Sequence, residues 1–120
     1  MDCVFCKIIN GDIPSYKLYE DEDILVFLDI NPVSPGHTLI IPKKHILDIM
    51  EIEDVLLTKI VNKARDMANL INIKLNSSGF TLVQNNGSVQ EVKHFHLHVI
   101  PRYEEKKELE VKDVFEILTK

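Results

Sequence analysis

Three histidines alternate with large apolar residues in His94-Phe95-His96-Leu97-His98-Val99-Ile100-Pro101-Arg102. A period of two is the strand period, so the imidazoles share one face and Phe95, Leu97 and Val99 share the other. Same-face neighbours on a strand stand roughly 6.5–7 Å apart. The apolar face belongs to a core. Imidazoles on the opposite face are costly to bury unless each has a partner or a task. The chain has five histidines and this stretch holds three of them, so the row organises whatever chemistry the protein performs.

A length of 120 residues suits one domain, residues 1–120, around a single core. A net charge of −5 argues against a general binder of nucleic-acid polymers or acidic membranes, which need clustered Lys and Arg. The start Met1-Asp2-Cys3-Val4-Phe5-Cys6 lacks a basic segment followed by an apolar run, so no secretory signal is visible, and no apolar stretch has the length of a membrane span. Cys3 and Cys6 without a secretion signal point to a reducing compartment and to metal or redox use. The expectation is a cytoplasmic protein.

Apolar residues at Val4, Phe5, Ile8 and Ile9 have helical spacing, and Gly11 is a stop. Ile13-Pro14-Ser15 reads as a turn and Lys17–Glu20 as a short strand. Glu20–Asp23 reads as a solvated acidic turn. Ile24–Leu28 is a continuous apolar run, as in a buried strand. It opens into the irregular segment Asp29–Gly36. His37–Pro42 is a further strand, followed by the basic group Lys43-Lys44-His45. After an acidic linker from Asp48 to Asp54, Val55–Leu75 reads as the longest helix. Its stripe is Leu57, Ile60, Val61, Ala64, Met67, Ala68, Ile71 and Leu75, either core or dimer interface. Asn76–Gly79 stops it. Phe80–Gln84 reads as a strand that pairs with the histidine strand as a hairpin, through a loop with exposed amides at Asn85–Ser88. Val111, Val114, Phe115 and Leu118 mark a short C-terminal helix.

Several residues carry two readings. Cys3-x-x-Cys6 supplies half of a tetrahedral zinc site, or two incidental thiols. Asp29, at a strand end, either holds a hydroxyl or caps a turn. His37 and His45 either complete a site with the row or belong to exposed segments. The row itself is open to two mechanisms. It can bind a catalytic metal, although Glu91 is the only carboxylate close in sequence. Alternatively, a neutral imidazole, with an ordinary pKa near 6.5, can attack phosphorus and form a covalent intermediate. The hairpin amides and Lys43-Lys44-His45 favour the second.

These residues resemble the histidine-triad (HIT) family. The resemblance rests on His94–Ile100, on Phe5-Cys6-Lys7-Ile8-Ile9, on Ile13-Pro14, and on Pro35-Gly36-His37-Thr38-Leu39-Ile40-Ile41-Pro42-Lys43-Lys44-His45. It is strongest to the nucleotide-binding Hint-like branch and runs from about Cys3 to Arg102, leaving a tail at 103–120. It implies an α+β fold. The expected elements are a five-stranded antiparallel sheet with one long and one or two short helices, and a homodimer in which two sheets join.

It further implies a hydrolase cleaving the bond at the α-phosphorus of a purine nucleotide such as AMP or a derivative, of the nucleoside phosphoramidate type. His96 would be the nucleophile forming a nucleotidyl-histidine, His98 would serve the phosphate and leaving group, and His37 would support the triad. Phe5, Ile8, Ile13, Phe27 and Ile30 would line the base pocket. Asp29 would hold the ribose hydroxyls, and Asn85, Gln90 and the Glu91 backbone would lie at the phosphate. The zinc that some family members carry, like the related hexose-phosphate uridylyltransferases, would here have the ligands Cys3, Cys6, His45 and His94. That set is structural in type. A dinucleoside polyphosphate hydrolase and a non-catalytic nucleotide-binding regulator are the alternatives. One departure stands out: Val89-Gln90 replaces the family's frequent Gly-Gln, and the carboxylate of Glu91 would repel a phosphate.

Overall fold

The computed structural model describes residues 3–120. Helix α1 spans Val4–Ile9 and is capped by Cys3, whose Sγ accepts the Cys6 N–H at 3.4 Å. Strands β1 (Lys17–Glu20), β2 (Ile24–Leu28) and β3 (Thr38–Pro42) follow, then the long helix α2 (Asp54–Leu75). Strand β4 (Gly79–Val83), strand β5 (Leu97–Arg102) and helix α3 (Val111–Leu118) complete the order. The strands form one antiparallel sheet in the order β1-β2-β3-β5-β4.

Both faces of the sheet are covered, which explains why Ile24–Leu28 reads as an unbroken apolar run. Ile24, Val26, Leu28, Ile40, Phe95, Leu97 and Val99 pack under α2 and α3, against Ile60, Ala64, Ile71, Val114 and Leu118. Leu25, Phe27, Leu39 and Ile41 face the other way and pack against Cys3, Phe5 and Ile8 of the α1 segment. Period-two alternation thus sends half of each central strand to each layer.

The long helix begins at Asp54, one residue before the Val55 read from the sequence. Its buried line is Ile60, Ala64, Met67, Ala68, Ile71 and Leu75; Val61, assigned to the stripe from sequence, is 42% exposed. The stripe is therefore core. The helix ends at Asn76 in the left-handed region, φ +58°, and the Asn72 side chain donates to the Ser77 carbonyl at 2.8 Å.

Two expectations about the histidine segment need correction. The ladder of β5 begins at Leu97, so His94–His96 precede it; the Phe95 N–H donates instead to the Ile46 carbonyl at 2.7 Å. The β4–β5 pair is antiparallel with Val83 opposite His98, but it is not a tight hairpin. Residues 84–96 form a long connection that includes a single 3₁₀ turn at Gly87–Val89. The alternation still holds at Phe95, which is buried in the same cluster as Leu97 and Val99 under α2. Among the described residues, no helix is long and apolar enough to cross a membrane.

Candidate functional site

The α1 layer and the β3–β5 pair meet at the histidines. His94 is fully buried, and His96 and His37 are nearly so. Phe5 stands edge-on to both His94 and His96, with ring centroids 5.9 and 5.0 Å away, and to Phe27 at 5.7 Å. One aromatic side chain of α1 therefore packs the helix against the row.

The hydrogen bonds assign a tautomer to each ring. The Val33 N–H donates to His37 Nδ1 at 3.0 Å, so His37 carries its hydrogen on Nε2. That nitrogen lies 2.9 Å from His98 Nδ1, which must accept, and His98 therefore carries its hydrogen on Nε2. His96 Nδ1 lies 2.7 Å from the His94 carbonyl oxygen and can only donate to it, leaving a lone pair on His96 Nε2. The chain thus presents one nucleophilic nitrogen and, on a ring 4.9 Å away centroid to centroid, one N–H donor.

Burial keeps His37 and His98 neutral. Desolvation, followed by the neighbouring His96 and His37, brings His98 down to about 4. Desolvation also lowers His37, against the pull of Asp29. The Asp29 carboxylate lies 3.6 Å from His37 Nε2, close enough for an ion pair. With His37 held below its ordinary value, the contact at neutral pH is a carboxylate beside a neutral ring. Asp29 also caps its own turn, with Oδ1 accepting the Asn31 N–H at 2.8 Å.

A cleft of about 250 Å³ opens in front of His96 and His98. Phe5, Ile8, Ile13, Phe27, Asp29, Ile30 and Glu91 all line it, together with Val4, Pro14, Ser15, Leu39 and Val92. Neither Asn85 nor Gln90 lines it. Gln90 is 5% exposed and ties two loops together: its Nε2 donates to the Leu47 carbonyl at 2.7 Å and its Oε1 accepts the Gly87 N–H at 3.2 Å. That bracing takes up the amide expected at the phosphate. Sequence reasoning also missed Val33 and Pro42, because they act through backbone atoms that leave no residue-type signal. Val92 was within reach, two residues before His94 in the same alternation. A larger polar hollow of about 500 Å³ lies between Asn76–Ser78 and Tyr103–Lys107, with neither histidine nor cysteine among its described lining residues.

The second constellation is Cys3, Cys6, His45 and His94, whose ligand atoms all lie within 4.8 Å of one another. Cys3 Sγ is 3.5 Å and Cys6 Sγ 3.6 Å from His94 Nδ1, and Cys6 Sγ is 3.3 Å from His45 Nδ1. A tetrahedral zinc with bonds of about 2.3 Å to sulfur and 2.0–2.1 Å to nitrogen sets sulfur–nitrogen separations of roughly 3.5 Å. The four donors fit that geometry. His94 Nε2 lies 2.8 Å from the Pro42 carbonyl, to which it donates, so Nδ1 is left as a ligand atom and the ring orientation is fixed from behind. Burial, then the neighbouring Cys3, pushes the Cys6 thiol up.

Fold and site together define an α+β domain, its sheet covered on both faces, with a histidine row, an apolar cleft and a Cys₂His₂ cluster. A family model described as HIT domain matches residues 10–105. An uncharacterized HIT-like protein of Methanocaldococcus jannaschii is 49% identical over 104 residues, covering 85% of this chain and 80% of that one. Adenosine 5'-monophosphoramidase HNT1 of Saccharomyces cerevisiae is 44% identical over 106 residues, covering 87% of this chain and 65% of the yeast protein. The solved structure of a zinc-bound histidine triad family protein from Mycobacterium smegmatis superposes with a TM-score of 0.91 at 33% identity, covering 99% of this chain and 91% of that one. The chain belongs to the HIT family.

Proposed function

We propose that the protein is a purine-nucleotide hydrolase that cleaves the bond at the α-phosphorus of a nucleoside phosphoramidate through a covalent nucleotidyl-histidine. The observation that carries this reading is the hydrogen bond from His96 Nδ1 to the His94 carbonyl at 2.7 Å, which leaves the Nε2 lone pair free beside the cleft. The name of the yeast relative supports a nucleotide substrate of this type.

In the proposed reaction the base lies among Phe5, Ile8, Ile13, Phe27 and Ile30, and Asp29 takes the ribose hydroxyls. His96 Nε2 attacks phosphorus while the bond from phosphorus to the amine nitrogen breaks. The electron pair leaves on nitrogen, which takes the Nε2 hydrogen of a His98 that has gained a proton on binding the anionic substrate, so that a neutral imidazole with a vacant Nε2 remains. His37 steadies the His98 ring across the 2.9 Å contact between its Nε2 and His98 Nδ1. In the second half, His98 Nε2 takes a proton from water, the hydroxide oxygen attacks phosphorus, and AMP and free His96 are released. The free protein holds His98 neutral, so the ring takes up the proton it later donates only when the anionic substrate arrives.

Cys3, Cys6, His45 and His94 would hold a structural zinc, which supplies charge for two thiolates and joins α1 to the segment carrying the nucleophile. Two copies are proposed to pair through β4, an edge strand with Phe80 49% and Leu82 43% exposed. Incubation with adenosine 5'-phosphoramidate tests the hydrolase reading: AMP should form, and activity surviving His96→Ala would sink the assignment.

A further inference from the structure

The cleft has a charge pattern that a nucleotide site does not explain. Its described lining residues include two carboxylates, Asp29 and Glu91, and no Lys or Arg. Three cations of the adjoining segments are engaged elsewhere. Lys93 Nζ donates to the Gly87 carbonyl at 2.7 Å, Lys43 pairs with Glu20 at 2.7 Å, and Arg102 Nε donates to Thr81 Oγ1 at 3.2 Å. In the free protein His37 and His98 add no positive charge, because burial keeps them neutral near pH 7.

Asp29 is accounted for by its turn and by His37. Glu91 is not. It is exposed, it makes no ion pair among the described residues, and it stands on the segment that leads directly into His94 and His96. Its neighbour Val92 packs inward with the Phe5 and Phe27 cluster, so the two residues divide between the wall and the mouth of the cleft. A carboxylate there repels the phosphoryl group on every substrate alike. It discriminates between substrates only through what is attached to that group.

Resting on the hydrolase reading above, we infer that Glu91 is a specificity determinant that selects phosphoramidates whose departing amine carries a positive charge, and rejects anionic leaving groups. A cationic side chain on the amine meets the Glu91 carboxylate at the mouth, whereas a carboxylate, sulfate or further phosphate meets a like charge. One unit-charge pair about 5–6 Å apart, at the intermediate dielectric of an open cleft, changes recognition by roughly tenfold in each direction. The site thereby favours adenylylated basic amines over dinucleoside polyphosphates.

The test uses three adenosine 5'-phosphoramidates of matched length, made from 1,4-diaminobutane, 4-aminobutyramide and 4-aminobutyrate. Turnover is measured on the full chain, and binding by calorimetry on the His96→Asn variant. The expected order is cationic over neutral over anionic, by about tenfold per step. Glu91→Gln should compress the three to within a few-fold of one another, and Glu91→Lys should invert the order. Ratios are compared within each variant, so a general loss of activity does not obscure the result. Turnover of all three with the same ratios in Glu91→Gln as in the unmodified protein overturns the inference and leaves the hydrolase reading standing. Ordered binding without turnover overturns the hydrolase reading and retains Glu91 as the selector. Binding to His96→Asn that ignores charge overturns the inference whatever the turnover.

Discussion

His96 points its Nδ1 hydrogen at the carbonyl oxygen of His94, 2.7 Å away, while the His94 ring turns into the Cys3–Cys6–His45 cluster. One residue thus contributes its side chain to a metal-type site and its backbone to the orientation of the proposed nucleophile. The two sites are mechanically joined across a single peptide unit. Anything that releases the His94 ring loosens the carbonyl that sets the His96 tautomer.

Metal removal should therefore reduce activity without touching the cleft. The Cys6→Ser variant removes one thiolate of the four donors. The expected outcome is loss of stoichiometric zinc, a lower Tm, and a fall in turnover of about 10–100-fold, the range usual when the support of a site is removed. Elemental analysis and phosphoramidate turnover on the same preparation check it. Full activity in zinc-free protein would separate the two sites.

The depressed His98 value makes a prediction for stability. The ring is held at about 4 against an ordinary 6.5. Above pH 6.5 both folded and unfolded chains carry it neutral, and it contributes nothing to the pH dependence. Between 6.5 and 4 the unfolded chain binds a proton that the folded chain refuses, so stability falls as pH falls. For a half-buried ring screened by solvent, the loss is about 1–2 kcal/mol. Urea unfolding of the His98→Asn variant should show a shallower decline across that window than the parent. Identical slopes would mean the ring titrates normally in the fold.

Much of the architecture is legible in residue order, and the reason is local. Ile24–Leu28 is apolar throughout because both sheet faces are covered, and Ile60, Ala64, Ile71 and Leu75 recur at helical spacing because one side of α2 is core. The exit of His94–His96 from the ladder is not legible, since it depends on the Phe95 N–H finding Ile46 across the fold. The cluster is half legible: Cys3 and His94 are 91 positions apart, and only the packing of α1 on the sheet brings them within 3.5 Å. Gln90 misleads for a related reason. A buried amide must satisfy its own hydrogen bonds first, and Leu47 and Gly87 meet that need.

Gly36 links the packing to the site. It adopts φ +92°, and a Cβ there would come within 3.2 Å of Pro101 Cγ and 3.3 Å of both Ile71 Cγ2 and Leu75 Cδ1. The Gly36→Ala variant meets backbone strain and a crowded α2–β5 contact at once. It should lose about 1–3 kcal/mol of stability. Because His37 follows directly, turnover should fall as well, even at temperatures where the variant stays folded. Thermal unfolding and activity at 20 °C below the variant's Tm check both halves; a change under ~0.5 kcal/mol would show that the turn relaxes freely.

The edge strand β4 supplies the last prediction. A sheet edge with unpaired backbone groups invites another chain, and monomeric proteins usually blunt such an edge with charge, proline or a covering element. Here Phe80 and Leu82 are exposed on β4, 49% and 43%, and Val83, not a charged residue, ends the strand. Pairing two copies edge to edge would satisfy the backbone and bury both side chains, and each copy would keep its own His96 cleft, which opens beside α1 and not at β4. The unmodified protein should sediment at twice the 13.8 kDa chain mass. The double variant Phe80→Lys, Leu82→Lys should sediment as a single chain with its far-ultraviolet circular dichroism retained, because neither side chain belongs to the buried core clusters. A single-chain mass for the unmodified protein at micromolar concentration would remove β4 as an interface.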